Sequence, residues 1–372
     1  QNYNWDTLCT VHSSLFQNRR GCSLFANILI FVLNILELNL RCTSMDFDLD
    51  EFIERYRVHP ESVSYLKETA VNNPVHNSDL TVETARERRL FLAVKYGGDV
   101  EFEGTIKDLI IPSPYDLNGI PITTYQPKSL GISSAPPLLV YFHGGGNVVG
   151  SRRTHDIVCK IISKKAECIV VNVEYRLAPE YKFPANQNDA NAAVDWVMRN
   201  KHLLGGTHKS KVGVGGDSSG GRLAAVACHE VPGIDFQILI YPGAGYAAKF
   251  PSNEEFQNGP DMSNEVMNWY KNHYASDKDF LLPRTNLLLQ TSYSNLPPAL
   301  FIVAELDRLR DGSYAYCNKL SEAGVETDLL SVEGTTHGFF ALPGHFKECC
   351  AKAYDRVATF IQSQANSLTF PA

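Results

Sequence analysis

Four places in this chain carry residue types that could do acyl-transfer chemistry: Gly216-Asp217-Ser218-Ser219-Gly220, His143-Gly144-Gly145-Gly146, Asp307 and His337. The first has the form G-x-S-x-G. It follows Val212-Gly213-Val214-Gly215, where branched residues alternate with glycine as at a buried strand end, and precedes a helix-forming run over 222–228. A serine on such a corner takes a strained backbone, and strand and helix approach so closely that the residues two before and two after it must be nearly free of side chain. Gly216 and Gly220 meet that demand. Three successive glycines after His143 leave N–H groups unhindered, able to converge on a developing oxyanion. Each motif alone also describes an ordinary glycine-rich turn. The order Ser218, Asp307, His337, with separations of 89 and 30 residues, is one in which a nucleophile, an acid and a base recur together.

Such side chains need a rigid frame. Residues 105–112 and 120–125 alternate as strands, and Asn118-Gly119 between them predicts a hairpin. Residues 137–142 are apolar throughout, as in a strand covered on both faces, and lead straight into His143. Further along, 153–165 reads as helix, 168–173 as buried strand and 189–198 as helix, with strands again at 236–242, 299–304 and 327–332. This alternation predicts an α/β fold with a mostly parallel, doubly wound sheet. Asp307 and His337 then fall at carboxyl ends of strands, where such sheets keep their sites. Residues 45–68 read as one helical segment, and 243–293 as an irregular insert rich in aromatics, including Tyr246, Trp269, Tyr270 and Phe280. Residues 174–185 read as a rigid, proline-marked loop with a structural Arg176.

The 372 residues are 44% hydrophobic and 20% charged, with a formal charge of -7, which is enough chain for one large domain and an accessory cap. A mildly acidic balance offers no general attraction to phosphate backbones, and no zinc-spaced Cys/His cluster occurs, so nucleic acid is not an expected partner. The nine cysteines are scattered and odd in number, and read as mostly reduced thiols. Together with the absence of any N-x-S/T sequon, they favour a cytoplasmic protein. Residues 1–44 are left unassigned. Their apolar run 24–40 is a candidate membrane anchor or signal segment, disfavoured by its shortness and by Asn27, Asn34, Glu37 and Asn39 within it. His76, His155, His229, His273 and His345 lack any motif and read as ordinary surface or core residues.

The chain resembles the hormone-sensitive-lipase group of α/β hydrolases, the alpha/beta hydrolase fold-3 family that includes arylacetamide deacetylases and carboxylesterases. The resemblance rests on His143-Gly144-Gly145-Gly146, on Tyr175-Arg176-Leu177-Ala178-Pro179-Glu180 with Phe183-Pro184-Ala185, on Gly216-Asp217-Ser218-Ser219-Gly220-Gly221 and on His337-Gly338-Phe339, in that order. It covers roughly 106–363 and implies an α/β-hydrolase fold with a helical cap. Residues 45–99 and the insert at about 243–293 would form that cap, and 100–365 the catalytic domain. It also implies a serine carboxylesterase or deacetylase acting on small, fairly apolar esters or amides, with no metal or cofactor.

On that reading His337 takes the proton of Ser218 during attack on the carbonyl, and Asp307 holds the imidazole. The N–H groups of Gly144, Gly145 and Ser219 would meet the oxyanion, with His143, Gly146 and Asp217 in supporting places. Three residues depart from the family pattern. Arg308 replaces the proline after Asp307, where it could pair with that carboxylate or point to solvent; Ser219 replaces the usual alanine; Arg222 stands where many relatives have asparagine. Asp311 is a fallback acid, more at home starting the next helix. Two alternatives stay open: a longer-chain lipase, and a non-catalytic receptor of the kind the gibberellin receptors represent, which have lost the catalytic histidine that this chain keeps as His337.

Overall fold

The computed structural model describes residues 48–72, 79–130, 135–246 and 249–366. The apolar run 24–40, Cys9, Cys22, Cys42 and His76 lie outside them. No helix among the described residues is long and apolar enough to cross a membrane.

Eight strands form one sheet: β1 (Gly104–Ile111), β2 (Ile120–Pro127), β3 (Leu138–Phe142), β4 (Ile169–Val173), β5 (Val212–Asp217), β6 (Phe236–Ile240), β7 (Ala299–Leu306) and β8 (Thr327–Thr336). Their spatial order is β1-β2-β4-β3-β5-β6-β7-β8, with β2 antiparallel to both its neighbours, β1 and β4, and the remaining pairs parallel. The expected hairpin is present, closing from Ile111 to Ile120 with Gly119 at φ 72°.

The continuous apolar strands are covered on both faces, which is why their sequences lack alternation. Leu139, Tyr141, Val170, Ile238 and Leu300 face one side, under α4 (Asp156–Ala166) and α10 (Lys347–Asn366). Val140, Phe142, Val171, Val214, Leu239 and Phe301 face the other, under α5 (Ala185–Asn200), α6 (Ser219–Glu230) and α9 (Arg310–Glu322). The glycines of β5 make room for this packing: a Cβ on Gly213 would overlap the Phe236 ring of the neighbouring strand.

Two expectations need correction. The segment 45–68 is not one helix: α1 (Leu49–Arg55) ends at Tyr56, extended at ψ 146°, and α2 (Pro60–Asn72) starts on a proline. Pro60 disfavours helix at the residue before it and suits the first helical position, so the chain breaks there. The insert 243–293 is not irregular either. It holds α7 (Pro251–Glu255) and α8 (Asn264–Tyr274), the latter capped by Ser263, whose side chain accepts from Val266 N. Next to it in space, α3 (Val82–Gly97) contributes Ala85 to an apolar cluster with Val266, Trp269, Tyr270, Val148 and Val149. Helices from before the sheet and from the insert thus pack together beside the residues that follow His143.

Candidate active site

Ser218 sits between β5 and α6 with φ 55° and ψ -118°, a conformation that costs a non-glycine residue of order 1–3 kcal/mol. The surroundings enforce it. A Cβ on Gly216 would lie 2.6 Å from the Gly220 carbonyl carbon, and one on Gly220 would be driven into the carbonyl oxygen of Phe142. The Ser218 N–H donates to Ile240 O at 2.8 Å, so the corner is also tied to β6.

Two and three strands over, β7 and β8 deliver Asp307 and His337 from their carboxyl ends. His337 Nε2 is 2.9 Å from Ser218 Oγ, and its Nδ1 is 2.6 Å from Asp307 Oδ2. Asp307 is buried, and its other oxygen accepts the Leu309 N–H at 2.9 Å, which fixes the carboxylate in its plane. The imidazole rests on the Tyr241 ring, 4.6 Å between centroids. Burial alone would lower the pKa of His337, but the facing Asp307 carboxylate outweighs it and the net shift is upward. The structure therefore brings Ser218, Asp307 and His337 into one hydrogen-bonded line.

The glycine loop after β3 lies alongside, with Gly145 at φ 127° and Gly146 at φ 61°, conformations that favour glycine. Gly144 departs from expectation. Its N–H donates to Asp217 Oδ1 at 3.0 Å instead of standing free. The same oxygen accepts the Tyr141 hydroxyl at 2.9 Å and lies 3.1 Å from His155 Nε2. Asp217 is thus the clamp between the loop and the serine corner. Burial would raise its pKa, but His155, Arg89 and the Tyr141 hydroxyl together hold the carboxyl well below the usual range. Among the described residues no acceptor takes the N–H of Gly145, Gly146 or Ser219. His143 supports the loop from behind, its carbonyl taking the Tyr175 hydroxyl at 2.6 Å and its ring stacked on Tyr175 at 4.3 Å. Burial, with His155 nearby, pushes its pKa down to about 4, so this ring is neutral framework.

The departures from the family pattern find definite places. Arg308 neither pairs with Asp307 nor reaches solvent: it is 8% exposed and donates to Met262 O at 2.7 Å and Asn264 Oδ1 at 3.0 Å, tying β7 to the insert. Asp311 accepts from Ser252 N and Arg310 Nε, both at 2.8 Å, and is not part of the line to Ser218. Arg222 is buried between Tyr246 and Tyr274 and donates to the Tyr274 hydroxyl at 3.1 Å. Arg176 forms a two-pronged pair with Asp189, at 2.8 and 2.7 Å, as its loop predicts. Two residues of the site carried no signal in the sequence, Tyr141 and His155, because their roles arise only when β3 lies beside β5. Among the described residues, His59, Glu61 and Cys349 come close enough to suggest a metal. Glu61, however, uses its oxygens to accept Glu348 N and Cys349 N at the start of α10, and burial pushes the Cys349 thiol up to about 12.

Known proteins share this arrangement. Residues 139–341 match a family described as alpha/beta hydrolase fold. Over 248 residues the chain is 38% identical to the carboxylic ester hydrolase LipN of Mycobacterium tuberculosis, covering 64% of this chain and 65% of that protein, just under two thirds of its length. Over 282 residues it is 32% identical to an ethyl acetate hydrolase of Pseudomonas putida, covering 74% and 87%. An alpha/beta hydrolase enzyme from the metagenome of Lake Arreo, Spain, superimposes with a TM-score of 0.79 at 30% identity, over 83% of this chain and 99% of that one. An esterase from the archaeon Pyrobaculum calidifontis does so with a TM-score of 0.75 at 32% identity, over 83% and 99%. The chain belongs to the α/β hydrolases, and within them to the fold-3 family that includes the hormone-sensitive-lipase group.

Proposed function

We propose that this chain hydrolyses small carboxylic esters through an acyl-enzyme on Ser218. The observation that carries the reading is the unbroken line from Ser218 Oγ through His337 to Asp307, at 2.9 and 2.6 Å. Attack of Oγ on the ester carbonyl carbon passes the hydroxyl proton to His337 Nε2, and Asp307 stabilises the imidazolium. The carbonyl oxygen becomes an oxyanion, met by the N–H groups of Gly145, Gly146 and Ser219, each worth about 3 kcal/mol of barrier. His337 then returns the proton to the leaving alcohol as the C–O bond breaks. Water, activated by the same imidazole, attacks the acyl-enzyme and releases the acid and Ser218.

The names of the relatives, an ethyl acetate hydrolase among them, support small esters as the substrate class. The aromatic residues Trp269 and Tyr270 of α8 support a fairly apolar pocket. The buried free cysteines Cys159, Cys168, Cys228, Cys317, Cys349 and Cys350 support the cytoplasm as the compartment. The test is hydrolysis of p-nitrophenyl acetate, butyrate and palmitate by the full chain and by Ser218→Ala. Short-chain turnover that vanishes in a folded Ser218→Ala protein is the expected result. Equal turnover in the variant overturns the nucleophile, and a preference for palmitate replaces the esterase with a lipase.

A further inference from the structure

Helix α3 presents a buried stripe of Ala85, Leu92 and Tyr96. Arg89 lies on that same stripe, four residues after Ala85 and three before Leu92, where an apolar residue would be at home. The clusters on either side say what it faces. Ala85 packs with Val148, Val149 and Tyr270, next to the glycine loop. Leu92 and Tyr96 belong to the cluster of Tyr241 and Phe339, next to His337. Arg89 is therefore set on the helix face between residues that pack by the glycine loop and residues of the cluster that holds Tyr241, the ring against His337. The preceding Arg86 fixes this register, with its Nε on Val148 O at 2.9 Å and its two terminal nitrogens on Glu180 at 2.8 and 2.7 Å.

Arg89 is half-buried like Arg86, but its Nε is covered and taken by no acceptor, and no ion pair to it occurs among the described residues. Its charge is felt at Asp217, Tyr65 and Tyr241. The Asp217 carboxylate is already engaged by Tyr141, Gly144 and His155. The other acid of this region, Asp261, shares its surroundings with Arg88, Thr336 and His337. A permanently charged guanidinium that is half-buried and has no ion-pair partner among the described residues calls for an anion.

We propose that Arg89 is a specificity residue that receives a carboxylate carried by the substrate, so that the preferred esters are anionic. This rests on the ester-hydrolase reading of the same site. Monoethyl succinate and ethyl butyrate share a four-carbon acyl chain and an ethanol leaving group and differ by a terminal carboxylate. Acetoxyacetate and ethyl acetate make the corresponding comparison on the alcohol side. In each pair the measured quantity is the ratio of kcat/KM, anionic over neutral, in wild type, Arg89→Lys and Arg89→Gln. A merely structural role changes both members of a pair alike and leaves the ratio fixed.

The expected result is a ratio that falls by about tenfold or more in Arg89→Gln for at least one pair, carried by KM and partly kept in Arg89→Lys. Calorimetric binding of the same four esters to Ser218→Ala and to Ser218→Ala/Arg89→Gln reads the preference without turnover. Ratios and binding preferences unchanged by Arg89→Gln in both pairs overturn the proposal, whatever the outcome for catalysis. Absence of turnover of any ester by the wild type would instead sink the ester-hydrolase reading.

Discussion

Replacing Asp307 with asparagine is the sharpest test of the proposed chemistry, because one backbone group decides how the new amide must sit. Leu309 N–H donates to Asp307 Oδ1 at 2.9 Å, so the amide of Asp307→Asn keeps its oxygen there and turns its NH2 towards His337. A donor now faces Nδ1, which can no longer donate. The imidazole is driven into the tautomer with its proton on Nε2, the nitrogen that must accept from Ser218. The expected loss in kcat is on the order of 10⁴-fold, about 5 kcal/mol of barrier, with little change in fold. The pH profile should move as well. In the wild type the carboxylate raises His337, so the acidic limb of kcat/KM lies above the free-histidine value and activity falls as pH drops through it. Without that charge, burial is opposed only by the lesser pull of Asp261 and Asp217, and the limb of the residual activity shifts to lower pH. The assay is p-nitrophenyl butyrate hydrolysis over roughly pH 5 to 9, with circular dichroism as the fold control. An Asp307→Asn enzyme within tenfold of wild type, with its acidic limb unmoved, would refute the reasoning.

Other expected outcomes are independent of this one. Asp217→Ala deprives Gly144 N–H and the Tyr141 hydroxyl of their common acceptor, and kcat should fall about 10²-fold with KM little changed; a loss confined to KM would contradict the clamp. Gly220→Ala drives a methyl into the Phe142 carbonyl and should cost about 3 kcal/mol or more, seen as a lower urea midpoint. His143 is held neutral at a pKa of about 4, so it contributes stability that is present above the unfolded value near 6.5 and lost as pH falls towards 4. The decline of the urea midpoint across that window should be shallower in His143→Gln, and an equally steep decline would show that another group drives it.

The parts of this site legible in the sequence are those fixed by local sterics or by chain order. Gly216 and Gly220 announce a strand-helix corner because the need for space is written two residues either side of Ser218. Asp307 and His337 announce themselves by following strands in the order such sheets use. What stayed hidden depends on which strands become neighbours. Tyr141 reaches Asp217 because β3 pairs with β5 in a register that sets Tyr141 opposite Gly215, and no local pattern encodes that choice. Gly144 loses its freedom through the same pairing. The direction of Arg308 was equally unreadable, since its acceptors Met262 and Asn264 lie in the insert, more than forty residues away in the chain. The helix α8 within that insert is hard to read from the sequence although it is clearly amphipathic, because its Trp269, Tyr270 and Tyr274 suit a strand or a packed loop equally well.

One consequence of the Asp217 clamp reaches beyond catalysis. The spacing between serine and oxyanion donors is set by a carboxylate on the residue next to the serine, and both ends of that clamp belong to the sheet. The helices above supply none of its hydrogen bonds. Mutations that reshape those helices can redraw which molecules are admitted while the reacting geometry stays as it is. Substrate range and reaction type are thus separately heritable in this chain: a lineage can drift to new esters without having to reinvent how an ester is cleaved.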